Sequence, residues 1–196
     1  MPSRLTLLAL LFVTNLARAV PWVVDARDTA GRPLPDTVIA VELNGLPVMA
    51  GANATAQLAQ QERQFRPYVL VVQTGTAISF PNFDTVRHHV YSFSSVKKFD
   101  IKLYVGTPAK PEVFDKPGVA ALGCNIHDRM TAHIVVVDTP IFAKTDATGQ
   151  VKLDLPPGQH VMLSWNPRLG VPTLSRQAIS VGAAGGHLDL TLNTVD

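Results

Sequence analysis

Leu122-Gly123-Cys124-Asn125-Ile126-His127-Asp128-Arg129-Met130 holds the one cysteine of the chain, a histidine three residues on, and a methionine three residues after that. Thiolate, imidazole and thioether each offer a lone pair to a soft or borderline metal ion. The apolar run Val119-Ala120-Ala121-Leu122 leads in and Ile134-Val135-Val136-Val137 leads out. The stretch therefore reads as a loop between two strands, with Cys124 closing the first and Met130 opening the second. A further imidazole has to come from elsewhere. Arg87-His88-His89-Val90-Tyr91-Ser92-Phe93 offers two at the start of a strand-like segment.

One cysteine, two histidines and a weak axial methionine form the type 1 (blue) copper donor set. Thiolate and thioether favour Cu(I), whereas imidazole also serves Cu(II), so single-electron exchange is the chemistry that suits them. Each donor has a plainer alternative. Cys124 can be a buried free thiol or the end of an intermolecular bridge, and Met130 can be a core filler. His88 and His89 compete for one position. Zinc ranks below copper, because structural zinc sites hold more thiolates or paired Cys-His motifs.

Outward from the loop, the chain alternates short apolar segments with turns. Val23–Asp28, Thr37–Leu43, Tyr68–Val72, Ala77–Phe80 and Phe99–Tyr104 are strand candidates, with Tyr68–Val72 expected to be buried on both faces. Ala50–Gln64 lacks a clear period and reads as a connection. After the loop, Val151–Leu155, Val161–Trp165, Ile179–Val181 and Leu188–Leu192 follow the same style, with turns at Gly149 and at Pro156-Pro157-Gly158. Many short strands with regular turn signals predict an all-β sandwich.

At the other end, Arg4, the apolar run Leu5–Val13 and Ala17-Arg18-Ala19 have the order of a cleaved secretory signal over residues 1–19. The apolar run is too short to span a bilayer, which takes about 20 residues. The expected compartment is the periplasm or the exterior. Cleavage would take Arg4 and Arg18 from 17 basic residues and none from the 15 acidic ones, leaving a net charge near zero. Nucleic-acid binding, which calls for a clear basic excess, is not expected.

Two resemblances follow from these residues. Phe65-x-Pro67, Gly75, Asn82, His88 with Val90 and Phe93, Pro117-Gly118 and Cys124-x-x-His127-x-x-Met130 resemble the cupredoxins of the plastocyanin and amicyanin type. The run Phe80–Phe93 with the cysteine loop also resembles bacterial proteins labelled methylamine utilisation proteins. The resemblance implies a Greek-key sandwich over residues 53–138 and one copper ion held by His88, Cys124, His127 and Met130. Aligning His88-His89-Val90 with the family's His-Asn-Val selects His88 as the ligand. His89 then stands where the family has an asparagine that braces the copper loop. Asp28-x-x-Gly31-x-Pro33, Asp146-x-x-Gly149 and Leu155-Pro156-Pro157-Gly158 resemble a carboxypeptidase-regulatory-like, transthyretin-type β-sandwich. This implies a discontinuous unit, residues 20–52 and 139–196, into which the cupredoxin is inserted.

The expected function is single-electron transfer by an exported copper protein. Alternatives are a copper chaperone or sensor, and an interaction module with a structural copper. No Ser-His-Asp or paired-carboxylate pattern points to an enzyme. His133 is expected to be structural or exposed, His160 and His187 to lie at the surface beside turns, and Asp128 and Arg129 to be solvated. Arg87, Lys97, Lys98, Lys102, Lys110, Lys116 and Arg129 would, if gathered around His127, steer an acidic redox partner.

Overall fold

The computed structural model describes residues 18–195, so the expected signal at 1–19 lies, but for its last two residues, outside the described chain. Among these residues the molecule is all-β apart from a single 3-10 turn at Pro167–Leu169. No described helix is long and apolar enough to cross a membrane. The strands in chain order are β1 (Val20–Asp28), β2 (Val38–Leu43), β3 (Thr55–Gln57), β4 (Ala59–Gln61), β5 (Gln64–Arg66) and β6 (Val69–Gln73). They continue with β7 (Thr76–Ser79), β8 (His88–Ser92), β9 (Phe99–Tyr104), β10 (Glu112–Phe114), β11 (Gly118–Gly123) and β12 (Thr131–Val137). The last are β13 (Phe142–Lys144), β14 (Gln150–Leu155), β15 (Gly158–Trp165), β16 (Ser175–Val181) and β17 (Gly186–Leu192).

Both ends of the chain share one pair of sheets, ordered β14-β1-β17 and β13-β2-β15-β16. The alternation of β1 and β14 sends Trp22, Val24, Ala26, Val151, Leu153 and Leu155 into the core between them. The turns that link this pair are built alike. The Asp28 carboxylate accepts from the N–H of Ala30 and of Arg32, both at 2.9 Å. Asp146 accepts from the N–H of Thr148 at 2.8 Å and of Gln150 at 3.1 Å. Gly149 follows with φ of 80°, and a Cβ there would lie 2.5 Å from the Ala26 carbonyl oxygen. Only glycine fits that close approach.

The middle of the chain makes a five-stranded sheet, β6-β12-β11-β8-β9, facing β10-β7-β3, with the β4-β5 hairpin at one end. Phe80, Phe114, Ile78, Val90, Ala120, Ile134 and Val136 fill the space between. β11 and β12 form a hairpin whose last pair is Gly123 with Thr131, so Cys124–Met130 is its connecting loop. Tyr91 of β8 pairs with Gly123, and the antiparallel direction carries His88 beside that loop.

A third core cluster joins the two sets of sheets. Val38, Ala40, Leu163 and Trp165 from β2 and β15 meet Val69, Val119, Val135 and Val137 from β6, β11 and β12. This double-sided burial explains why β2 is apolar almost throughout, with five of its six residues buried. Strands buried on both faces lose the alternation that half-exposed strands keep.

One sequence expectation is met in part and another needs correction. In Tyr68–Val72 both faces of β6 pack against a core, with Val69 buried in the joining cluster and Val72 in the core of the middle sheets, while Tyr68 is exposed and Leu70 and Val71 are half-buried. Ala50–Gln64 is more than a connection, since it carries β3 and β4 and sends Leu58 and Gln60 into full burial. Three-residue strands are too short to display a period.

Candidate metal centre

His88, Cys124 and His127 each bring one donor atom to within 4.8 Å of the others. The Cys124 Sγ lies 3.8 Å from His127 Nδ1. Bonds of about 2.3 Å to sulfur and about 2.0 Å to nitrogen span that separation at an angle near about 120°. The His88 and His127 rings lie 4.9 Å apart at 59°. His88 and Cys124 are buried, while His127 is half-buried and presents an edge outward. Met130 is 1% exposed and belongs to the same core cluster as Cys124.

The loop is closed by its own backbone. Cys124 N–H donates to the Met130 carbonyl at 3.2 Å, and Met130 N–H donates to the His127 carbonyl at 2.8 Å. These bonds fold seven residues so that sulfur and imidazole face one point. Gly123 precedes the cysteine for a packing reason: a Cβ there would meet the Tyr91 hydroxyl at 2.7 Å.

His88 shows how the donor set fits a metal. Its Nε2 is 2.7 Å from Asp84 Oδ2, and its Nδ1 is buried without a hydrogen-bond partner. A buried polar nitrogen with no partner is costly, and a metal bond is one of the few things that compensates it. Burial alone would push the Asp84 carboxyl up, but N–H donors from Arg63, His88 and Glu62 outweigh it and hold it below the ordinary carboxylate value. With Nε2 against Asp84, Nδ1 is the His88 nitrogen left for the group with Cys124 and His127.

His89, the competing imidazole, is outside the group of three. It is buried with Nε2 against Asp100, and its ring leans on Tyr91 at 5.5 Å. Lys102 and His89 hold the Asp100 carboxyl below its usual value. The position that resembles a bracing asparagine therefore ties β8 to β9 through a hydrogen bond to Asp100 instead.

Asn82 and Tyr104 support the turn that delivers His88. Asn82 Nδ2 donates to the carbonyls of Val86 at 2.9 Å and Tyr104 at 3.1 Å, and its Oδ1 accepts from Asp84 N–H at 2.9 Å. Burial pushes the Tyr104 phenol up to about 12, so it stays protonated and donates to the Phe80 carbonyl at 2.6 Å. Gln60 donates to the same phenol oxygen from full burial. Gln60, Asp84 and Tyr104 were not marked as site residues by the sequence. Asp84 four residues before His88 is the only hint, since a ligating histidine commonly gives its other N–H to a carboxylate.

An open cleft of about 640 Å³ lies beside the loop, lined by Arg63, Phe65, Tyr68, His127, Arg129 and Met130 among others. Of the seven basic residues expected near His127, Arg129 lines this cleft. Lys97, Lys98 and Lys116 line a separate depression with Asp115, and Lys102 pairs with Asp100.

The remaining histidines are distributed differently from expectation in one case. His160 is buried, accepting at Nδ1 from Asn44 N–H at 3.2 Å with Nε2 at 2.8 Å from the Pro156 carbonyl, so surface placement is wrong for it. His133 is structural, set between Tyr68 and Trp165 with ring centroids at 5.4 and 5.0 Å, and burial pushes its pKa down. His187 is exposed and lies 2.5 Å from Asp25.

No family model and no curated protein matches this chain. Solved structures do. A purple cupredoxin from Nitrosopumilus maritimus is 19% identical, covers 43% of this chain and 99% of its own, with a TM-score of 0.36. A copper-containing nitrite reductase from Thermus scotoductus is 25% identical over 46% of this chain and 25% of its own, TM-score 0.38. A reduced amicyanin variant is 15% identical over 50% of this chain and 97% of its own, TM-score 0.38.

Proposed function

We propose that this chain is an exported single-electron carrier with one type 1 copper ion held by His88, Cys124 and His127, and with Met130 as the weak axial donor. The observation that carries this is the meeting of one cysteine sulfur and two imidazoles, with the His88 Nδ1 buried and unpartnered. Copper bound there would supply a Cu(I)/Cu(II) couple. The chain's own contribution is to hold the donors still. Cys124 and Met130 sit in packed core, and the loop between them is closed by two backbone hydrogen bonds. A rigid donor set costs little to reorganise when one electron is added or removed. His127, half-buried at the cleft, supplies the edge through which an electron would pass.

The experiment is a reductive titration of the copper-loaded mature protein followed optically. One electron per chain, returned in full on reoxidation, is expected. Copper that is released on reduction, or that cannot be reduced reversibly, would contradict electron transfer and favour a copper-delivery role.

A further inference from the structure

We propose that Asp84 is a positioning residue for the copper ligand His88, and that the β4–β5 hairpin is the part of the fold that holds Asp84 in that role. This rests on the copper reading above and names what sets the behaviour of that site.

Asp84 accepts three N–H donors. Its Oδ1 takes the Glu62 amide at 2.7 Å, while Oδ2 takes the Arg63 amide at 2.9 Å and His88 Nε2 at 2.7 Å. Two of these come from a segment about twenty residues upstream. Glu62 and Arg63 are the two central residues of a hairpin loop, since Gln61 pairs with Gln64 across it. Both have φ of 56°, in the left-handed region. Two-residue hairpin loops of this kind are ordinarily made by Asn-Gly or Asp-Gly, because other residues are strained there. The strain has an evident compensation. In a turn of this shape, successive amides point the same way and form a concavity for an anion, and Asp84 supplies the anion.

The consequence reaches the metal ligand. With Nε2–H donated to a fixed carboxylate, His88 is held in one tautomer and one ring orientation, leaving Nδ1 as the lone pair. That nitrogen is the one buried without a partner beside Cys124 and His127. A full negative charge behind the ring also makes imidazole a stronger donor than a carbonyl acceptor would. The higher positive charge of Cu(II) gains more from this than Cu(I) does. Asp84 therefore lowers the reduction potential of the site.

The test compares the copper-loaded wild type with Asp84→Asn. The variant should bind Cu(II) about 10- to 100-fold more weakly, lose less affinity for Cu(I), and show a higher midpoint potential. Asp84→Glu, which keeps the charge on a longer arm, should fall between the two. Nitrogen NMR of His88 in the metal-free wild type needs no variant and should show the Nε2–H tautomer. A folded Asp84→Asn protein with wild-type potential and an unchanged ratio of Cu(II) to Cu(I) affinity would overturn the proposal. So would an Nδ1–H tautomer at His88. A wild type that takes up no copper overturns the functional reading itself, and is recognised before any variant is compared.

Discussion

Met130 is proposed as the axial donor from its burial and its place in the loop. It closes the loop by its backbone, and its side chain lies in the same packed cluster as Cys124. Met130→Leu conserves volume and should cost less than about 1.5 kcal/mol of stability. An axial role predicts that this variant keeps the intense thiolate-to-copper band but shifts the reduction potential. A spectrum and potential both identical to wild type would reduce Met130 to a core residue. At this scale the loop was readable: Cys124, His127 and Met130 stand three residues apart, and the structure brings Cys124 and His127 together with His88. The choice between His88 and His89 was not readable from spacing. It depends on which ring the turn after Asn82 aims inward, and on Asp100 being across β9 to take the other.

Among the elements, β1 and β17 carry a pH-dependent contact that is independent of the metal. They run parallel, with Asp25 opposite Asp189 and His187 two residues earlier. Hydrogen bonding to Asp25 raises the pKa of His187. Its contribution to stability is thus fully present below about pH 6.5 and is lost as pH rises through the raised value. Hydrogen bonding to His187, then Gln150, lowers the pKa of Asp25. That contribution is present above about pH 3.9 and lost as pH falls through the lowered value. The gap in melting temperature between wild type and His187→Gln should therefore be widest between about pH 4 and 6.5 and should close toward pH 8. A gap that is constant with pH would refute the pairing. Sequence patterning revealed the alternating strands with a free face, such as β1 and β14, and the continuous apolar runs of β2 and β12. It missed β3, β4 and β10, which are held by neighbours more than by any period of their own.

Across the whole molecule, the cluster of Val38, Ala40, Leu163 and Trp165 with Val69, Val119, Val135 and Val137 makes the two sets of sheets interdependent. Lys144 adds a polar tie, donating to Asp36 at 2.6 Å and to the Val69 carbonyl at 2.8 Å. Trp165 is 2% exposed within this seam and packs at a tilt against His133 of β12, the strand that begins directly after Met130. Trp165→Ala should cost about 3–5 kcal/mol. Thermal unfolding of the wild type should be a single transition by both far-ultraviolet dichroism and the copper signal. Two well-separated transitions would mean that the seam does not couple the halves. That the chain leaves its first sheets after Leu43 and returns to them at Phe142 was suggested only by matching turn chemistry, at Asp28 and Asp146. The seam itself left its trace in β2, whose two apolar faces serve two different cores.

Cys124, with His88 and His127, is proposed to form a type 1 copper site. The most direct measurement is the optical and EPR spectrum of the mature protein with one equivalent of Cu(II), beside Cys124→Ala. An intense visible thiolate-to-copper band is expected in the wild type, bleached by mild reductant and absent from the variant. Copper bound by the wild type without that band, or bound identically by the variant, would contradict the proposed site.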